Sequence, residues 1–137
     1  MRTAAETVRE WKRRLQEREF EHMAEVVDLD GYTEICLGLT GWTTGYEVAF
    51  GNYVRNMVEP WRDQKVTEIE DVEGEDTVVT RSHVEATHAG QFLGIAATGR
   101  KVEWDVISIV KVRDGRIFWQ WVQPDLWGIY QQLTRPE

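Results

Sequence analysis

The chain has 137 residues, 42% of them hydrophobic, and a formal net charge of -8. That size and apolar content suffice for one domain over 1–137 that buries its own core without disulfides or metals. The acidic balance argues against nucleic acid and anionic membranes as partners, because both are bound through clustered Lys and Arg.

Residues 1 to 25 carry charges throughout, and no apolar run reaches the roughly 18 residues a membrane span needs. A soluble, cytoplasmic protein is expected. Cys36 is the single cysteine, lies between Ile35 and Leu37, and reads as a small buried hydrophobe.

Thr3 and Glu6 form a capping box, and Ala4, Val8, Trp11 and Leu15 then recur at helical spacing, predicting a first helix over about 4–18. Phe20, Met23, Ala24 and Val27 read as a second short helical piece. Turn residues at Asp28 to Gly31 close it, and YTEICLGL at 32–39 reads as a strand that turns at Thr40 and Gly41. Thr44 and Glu47 resemble another capping box, opening a helix whose apolar stripe is Tyr46, Ala49, Phe50, Tyr53, Val54 and Met57. Pro60 ends it.

From there the hydrophobic period falls to 2, and strands are predicted at about 64–72, 76–88, 100–112 and 116–122. Gly74, the glycine-rich stretch 89–99 and Asp114-Gly115 separate them. The acidic stretch Glu68 to Asp76 is interleaved with Thr67, Ile69 and Val72, which suits a solvated strand edge better than a cation cage.

In the strand at 100–112, Val102, Trp104, Val106, Ser108, Val110 and Val112 share one face, and Glu103, Asp105, Ile107, Ile109 and Lys111 the other. The first set reads as core or pocket. A three-residue loop Arg113-Asp114-Gly115 with a glycine bulge would pair Val112 with Arg116 and Ser108 with Gln120, so Phe118, Gln120 and Val122 would face inward. A two-residue Asp-Gly turn would shift the register by one and send Trp119 and Trp121 inward instead. Under the first register Ile107, Ile109, Trp119 and Trp121 form an outer apolar patch suited to a homodimer interface.

The pieces Thr87-His88-x-Gly90-x-Phe92-x-Gly94, Thr98-Gly99-Arg100, Asp114-Gly115-Arg116-Ile117, Trp121-x-x-x-Asp125-x-x-Gly128 and Gln132-Leu133 follow one another in a familiar order. Together they resemble the SnoaL-like polyketide cyclases of the nuclear transport factor two-like superfamily. The resemblance implies an α+β fold, a cone-shaped barrel in which a bent mixed or antiparallel sheet wraps around N-terminal helices, usually as a homodimer through the outer sheet face. It also favours the register that turns Ser108, Gln120 and Val122 inward. Family cyclases close a ring by intramolecular aldol chemistry, with a pocket carboxylate on the last strand and often a histidine on the strand before. This chain has Val122 and Ser108 at those places.

Candidate residues are therefore weighed on their own chemistry. Asp125 is either an acid at the pocket mouth or the N-cap of a terminal helix through Trp127, Tyr130 and Leu133. His88 either orders the glycine-rich loop or takes part in catalysis. His83, on one face with Arg81, Glu85 and Thr87, is either a titrating group or part of a surface ion ladder. Asp105 would gain a raised pKa if buried, but the favoured register points it outward. Gln120 and Ser108 can position a carbonyl, with Trp104 and Phe118 stacking on flat rings beside Val106 and Val122. Seven tryptophans suit a planar ligand, with Trp11, Trp42 and Trp61 assigned to helix packing.

The reading is a small-molecule enzyme for an aromatic or polyketide-type carbonyl compound, acting by cyclisation, isomerisation or related acid/base chemistry with no metal or organic cofactor. The alternative is a cone that binds a hydrophobic ligand or partner and does no chemistry.

Overall fold

Thr3 caps the first helix as its spacing predicts: its hydroxyl accepts from the Glu6 N–H at 3.1 Å, and the Glu6 carboxylate accepts from the Thr3 N–H at 2.8 Å. The structure, a computed structural model, describes residues 1–137. Helix α1 covers Ala4–Gln16 and buries Ala4, Val8 and Trp11 against the sheet. The second helical piece shrinks to one 3-10 turn, Met23–Glu25. Left-handed backbone at Arg18 (φ 56°) and His22 (φ 62°) interrupts the helix before it.

The strand expected at 32–39 is two short antiparallel ones, β1 (Thr33–Cys36) and β2 (Gly41–Thr44), joined at Leu37 to Thr40. Gly38 and Gly41, at φ 85° and 66°, supply the left-handed backbone that so tight a reversal needs. Thr44 consequently does not cap a helix. It pairs with Thr33, and Gly45 leads into α2 (Tyr46–Tyr53) with no side-chain cap. The predicted stripe continues through a π-helical turn, Val54–Val58, to Pro60.

The remaining strands are β3 (Trp61–Glu73), β4 (Thr77–His88), β5 (Lys101–Arg113) and β6 (Arg116–Pro124), followed by α3 (Leu126–Thr134). They form one six-stranded sheet in the order β2-β1-β6-β5-β4-β3. Every neighbouring pair is antiparallel except β1 with β6, which is parallel. β3 is an edge strand, exposed along its length after Trp61, so the acidic run is solvated as expected. Lys12 and Arg81 pair with its Glu68 and Glu70 at 3.0 and 3.1 Å. No helix is long and apolar enough to cross a membrane.

The last hairpin corrects both registers considered from sequence. Asp114 and Gly115 both have positive φ, 53° and 73°, as a two-residue type I′ turn requires. Arg113 pairs Arg116 and Val112 pairs Ile117; Lys111 then pairs Trp119, which leaves Phe118 as an extra residue in a bulge. Beyond it Val110, not Ser108, faces Gln120, and Ser108 faces Val122. The extra residue restores the alternation that the short turn alone would have reversed. Gln120 is therefore inward and 8% exposed, while Trp119 and Trp121 lie on the opposite face.

Two cores flank the concave side. One packs α1, Tyr32, Tyr46 and Ala49 on Val78, Val110, Val112 and Ile117. The other packs Ile129 and Leu133 of α3 with Trp61, Val84, Phe92, Val102 and Trp104.

Candidate functional site

Between those cores lies a cavity of about 230 Å³, closed by α1 and α2 on one side and by the inward faces of β1, β6, β5 and β4 on the other. Its walls are mainly apolar, with Trp11, Leu15, Leu39, Phe50, Met57, Val66, Val84, Val106 and Val122 among them. Into this lining project Glu34, Gln120, Ser108, Ser82 and Lys12. A few convergent polar groups in an apolar concavity are the usual form of a small-molecule site. A wider groove of about 780 Å³ runs past Lys65, Glu85, Lys101 and Glu103, but it is a charged, solvent-open surface.

Glu34 comes from β1 and is brought beside Gln120 by the parallel pairing of Thr33–Ile35 with Trp119–Trp121. The Tyr32 hydroxyl lies 2.7 Å from Glu34 Oε1 and 3.0 Å from Gln120 Oε1. Burial pushes the Glu34 carboxyl above the usual carboxylate range, and the Tyr32 hydrogen bond only partly offsets this. Tyr32 itself, 1% exposed, is held well above an ordinary phenol by burial and then by the neighbouring Glu34 charge.

A phenol carries one proton, so Tyr32 serves one of its two acceptors at a time. With Glu34 neutral, the acid donates to Tyr32 and Tyr32 donates to Gln120 Oε1, so the proton chain is complete. With Glu34 ionised, Tyr32 turns its proton to the carboxylate and Gln120 Oε1 loses its donor. The Gln120 amide nitrogen has no protein acceptor in either state and faces the cavity.

Neighbouring thiol and phenols stay protonated. Burial, followed by the Glu34 charge, pushes Cys36 up to about 11. Burial pushes Tyr46 up to about 12, although Trp11 Nε1 donates to its hydroxyl at 3.1 Å. Glu34 is thus the cavity's one carboxylate, poised where a proton can be taken or returned.

A bent six-stranded sheet wrapped over helices, with such a cavity on its concave side, defines the cone-shaped α+β class of nuclear transport factor two-like proteins. The SnoaL-like polyketide cyclase family matches residues 5–133. The chain belongs to that family. Among solved structures, the Streptomyces antibioticus protein IdmH is 23% identical, with a TM-score of 0.82 over 98% of this chain and 100% of its own. A SnoaL-like polyketide cyclase of Agrobacterium tumefaciens is 17% identical, with a TM-score of 0.78 over 97% and 99%. An NTF2-like protein of Burkholderia thailandensis is 18% identical at 0.78 over 99% and 100%. At these identities the likeness carries the fold. No curated protein matches the chain.

Of the residues singled out from sequence, Gln120, Ser108, Val106 and Val122 meet in the cavity. Phe118, displaced by the bulge, lies outside the lining with the Arg113 guanidinium 4.1 Å from its ring centre. Trp104 belongs to the second core, its ring 4.7 Å from Trp61. Asp125 sits at the start of α3 and accepts the Gly128 N–H at 2.9 Å. His88 is fully buried, with Nδ1 2.9 Å from Thr98 Oγ1 at the end of the glycine-rich loop. His83 is on the outer face, Nδ1 2.7 Å from Asp105 Oδ1, and Arg81 holds Asp105 from the other side at 3.1 Å. Trp42 does not pack a helix; it stands 68% exposed on β2.

Glu34 is not among the residues the sequence singles out, because the family resemblance points to the last two strands. The signal was present in period 2: Tyr32, Glu34 and Cys36 alternate with Thr33, Ile35 and Leu37, placing one carboxylate on the face that carries a tyrosine and a cysteine.

Proposed function

We propose that the protein is a small-molecule enzyme acting on an aromatic or polyketide-type carbonyl compound, with Glu34 as its acid/base. The observation that carries this reading is a carboxylate of raised pKa inside an apolar cavity, hydrogen-bonded through Tyr32 to an amide whose N–H groups are unspent. Ionised Glu34 removes a proton from carbon next to a substrate carbonyl. The carbonyl oxygen, becoming an enolate, takes hydrogen bonds from the Gln120 amide. The enolate carbon then attacks a second carbonyl of the same molecule, closing a ring, or is reprotonated at another carbon. Protonated Glu34 returns the proton in either case, so atoms and electrons balance within the substrate and one side chain.

This chemistry supplants the family arrangement of a last-strand acid, since Val122 moves no proton. The test is turnover of diketone and polyketide mimics. Glu34→Gln should lower kcat about 100- to 10,000-fold, and kcat/KM of the parent should rise with pH through a value above the ordinary carboxylate range. A Glu34→Gln variant as active as its parent overturns the reading and leaves the non-catalytic binding cone, which Val122 and Ser108 at the family's places support.

The proposal includes a cytoplasmic homodimer joined through Ile107, Ile109, Trp119 and Trp121. The feature that supports the dimer is the set of apolar side chains on the outer sheet face, Ile107 among them at 47% exposed.

A further inference from the structure

The wall opposite Glu34 carries a second polar cluster that the acid/base chemistry does not use. Lys12 of α1 reaches into the cavity lining, and its ammonium donates to Thr80 Oγ1 at 2.8 Å and to Glu68 Oε1 at 3.0 Å. An ammonium has three protons, so one remains. Thr80 pairs with Ser108, and Ser82 pairs with Val106, which makes the two serines diagonal neighbours about 7 Å apart on one inward face. Ser82 is only 8% exposed, and both serine hydroxyls open onto the cavity with no protein hydrogen-bond partner.

The Ser82 hydroxyl, on a buried residue, the half-buried Ser108 hydroxyl and a cation with a free proton form a donor-rich pocket, and a ligand acceptor that displaces solvent there gains all three hydrogen bonds in an apolar surrounding. The acceptor they suit is an anionic oxygen. Glu68 does not serve, because it lies on the exposed edge strand and takes only one of the ammonium protons. Ser108 is two strands from Glu34 across the sheet, which at about 4.8 Å per strand is roughly 10 Å.

Resting on the acid/base reading of the same cavity, we propose that Lys12, Ser82 and Ser108 form a carboxylate-binding subsite. The substrate is then a compact carbonyl compound bearing a carboxylate on the side remote from its enolisable carbon. The cavity volume of about 230 Å³ fits one or two rings rather than an extended polycycle. Bound this way, the carboxylate fixes which carbon meets Glu34.

The test is isothermal titration calorimetry at pH 7 with 2-naphthoate and methyl 2-naphthoate, carried out on the parent and on Glu34→Gln so that turnover plays no part. The acid should bind about tenfold or more tighter than the ester, the difference expected for a hydrogen-bonded charge. Lys12→Met should bring the two within about twofold, and Ser82→Ala should lower affinity for the acid while sparing the ester. Ser108→Ala provides the same comparison if Lys12→Met does not fold. Equal binding of acid and ester by the parent, no binding of either, or an acid preference that survives Lys12→Met and Ser108→Ala overturns the subsite. An intact preference combined with turnover indifferent to Glu34→Gln would instead remove the acid/base reading and leave the subsite standing.

Discussion

Glu34 has a consequence for stability as well as for reactivity. Its folded-state pKa is raised by burial, so the native state holds the proton more tightly than the unfolded chain. The favourable contribution of the neutral acid is fully present below the ordinary carboxylate range and is lost as pH climbs through the raised value. Glu34→Gln, which keeps the shape and removes the charge, should therefore melt with its parent near pH 4 and above it at pH 8. Thermal melts across that range check this, and a variant less stable at pH 8 would show that burial is not what shifts the group. Asp105 presents the opposite case: the His83 hydrogen bond, followed by Arg81, lowers its pKa, and the whole ladder is solvent-facing. Screening makes such pairs weak, so His83→Ala should leave both turnover and melting temperature unchanged.

At the scale of elements, what could be read from sequence divides by how local the deciding interaction is. Helix α1 was legible because its cap and stripe lie within one stretch of chain, and Thr3→Ala should cost about 1 kcal/mol in denaturant titrations by removing that cap. The strand β2 was hidden because Gly41 to Thr44 has no alternation of its own and is a strand only by pairing with β1. The β5–β6 hairpin shows the same limit at higher stakes. Its faces followed from spacing, but its pairings turned on whether an extra residue sat in the turn or in the strand, and Phe118 in the strand leaves no mark in a hydrophobic pattern. Gly115→Val places a branched side chain at φ 73° and should destabilise by about 1–2 kcal/mol. An unchanged unfolding midpoint would mean the turn relaxes to another form.

At the scale of the whole molecule, the register lines up one apolar row across the outer face of the sheet. Trp42 pairs Ile35, Ile35 pairs Trp121, Trp121 pairs Ile109, Ile109 pairs Val79, and Val79 pairs Val72. Trp42 and Val72 at its ends are 68% and 62% exposed, and Ile107 beside it is 47% exposed. Ile35 within the row is fully buried and Trp121, Ile109 and Val79 are half-buried, so the apolar surface left open lies at Trp42, Ile107 and Val72, and the proposed dimer would cover it. Trp121→Glu puts a charge within the row, so if the proposed dimer forms there the variant should sediment as a monomer at micromolar concentration where the parent sediments as a dimer. An unchanged mass would assign the row another role.

The Tyr32 to Gln120 hydrogen bond joins groups 88 positions apart, through a parallel strand pair that no short loop can close. Early and late portions of the polypeptide must therefore both be in place before the acid has its neighbour. During refolding, α1 and the β5–β6 hairpin can form from local contacts, whereas capacity to hold a ligand should return in a slower, later phase. A nascent chain halted before Gln120 leaves the ribosome would have most of its scaffold and no working centre.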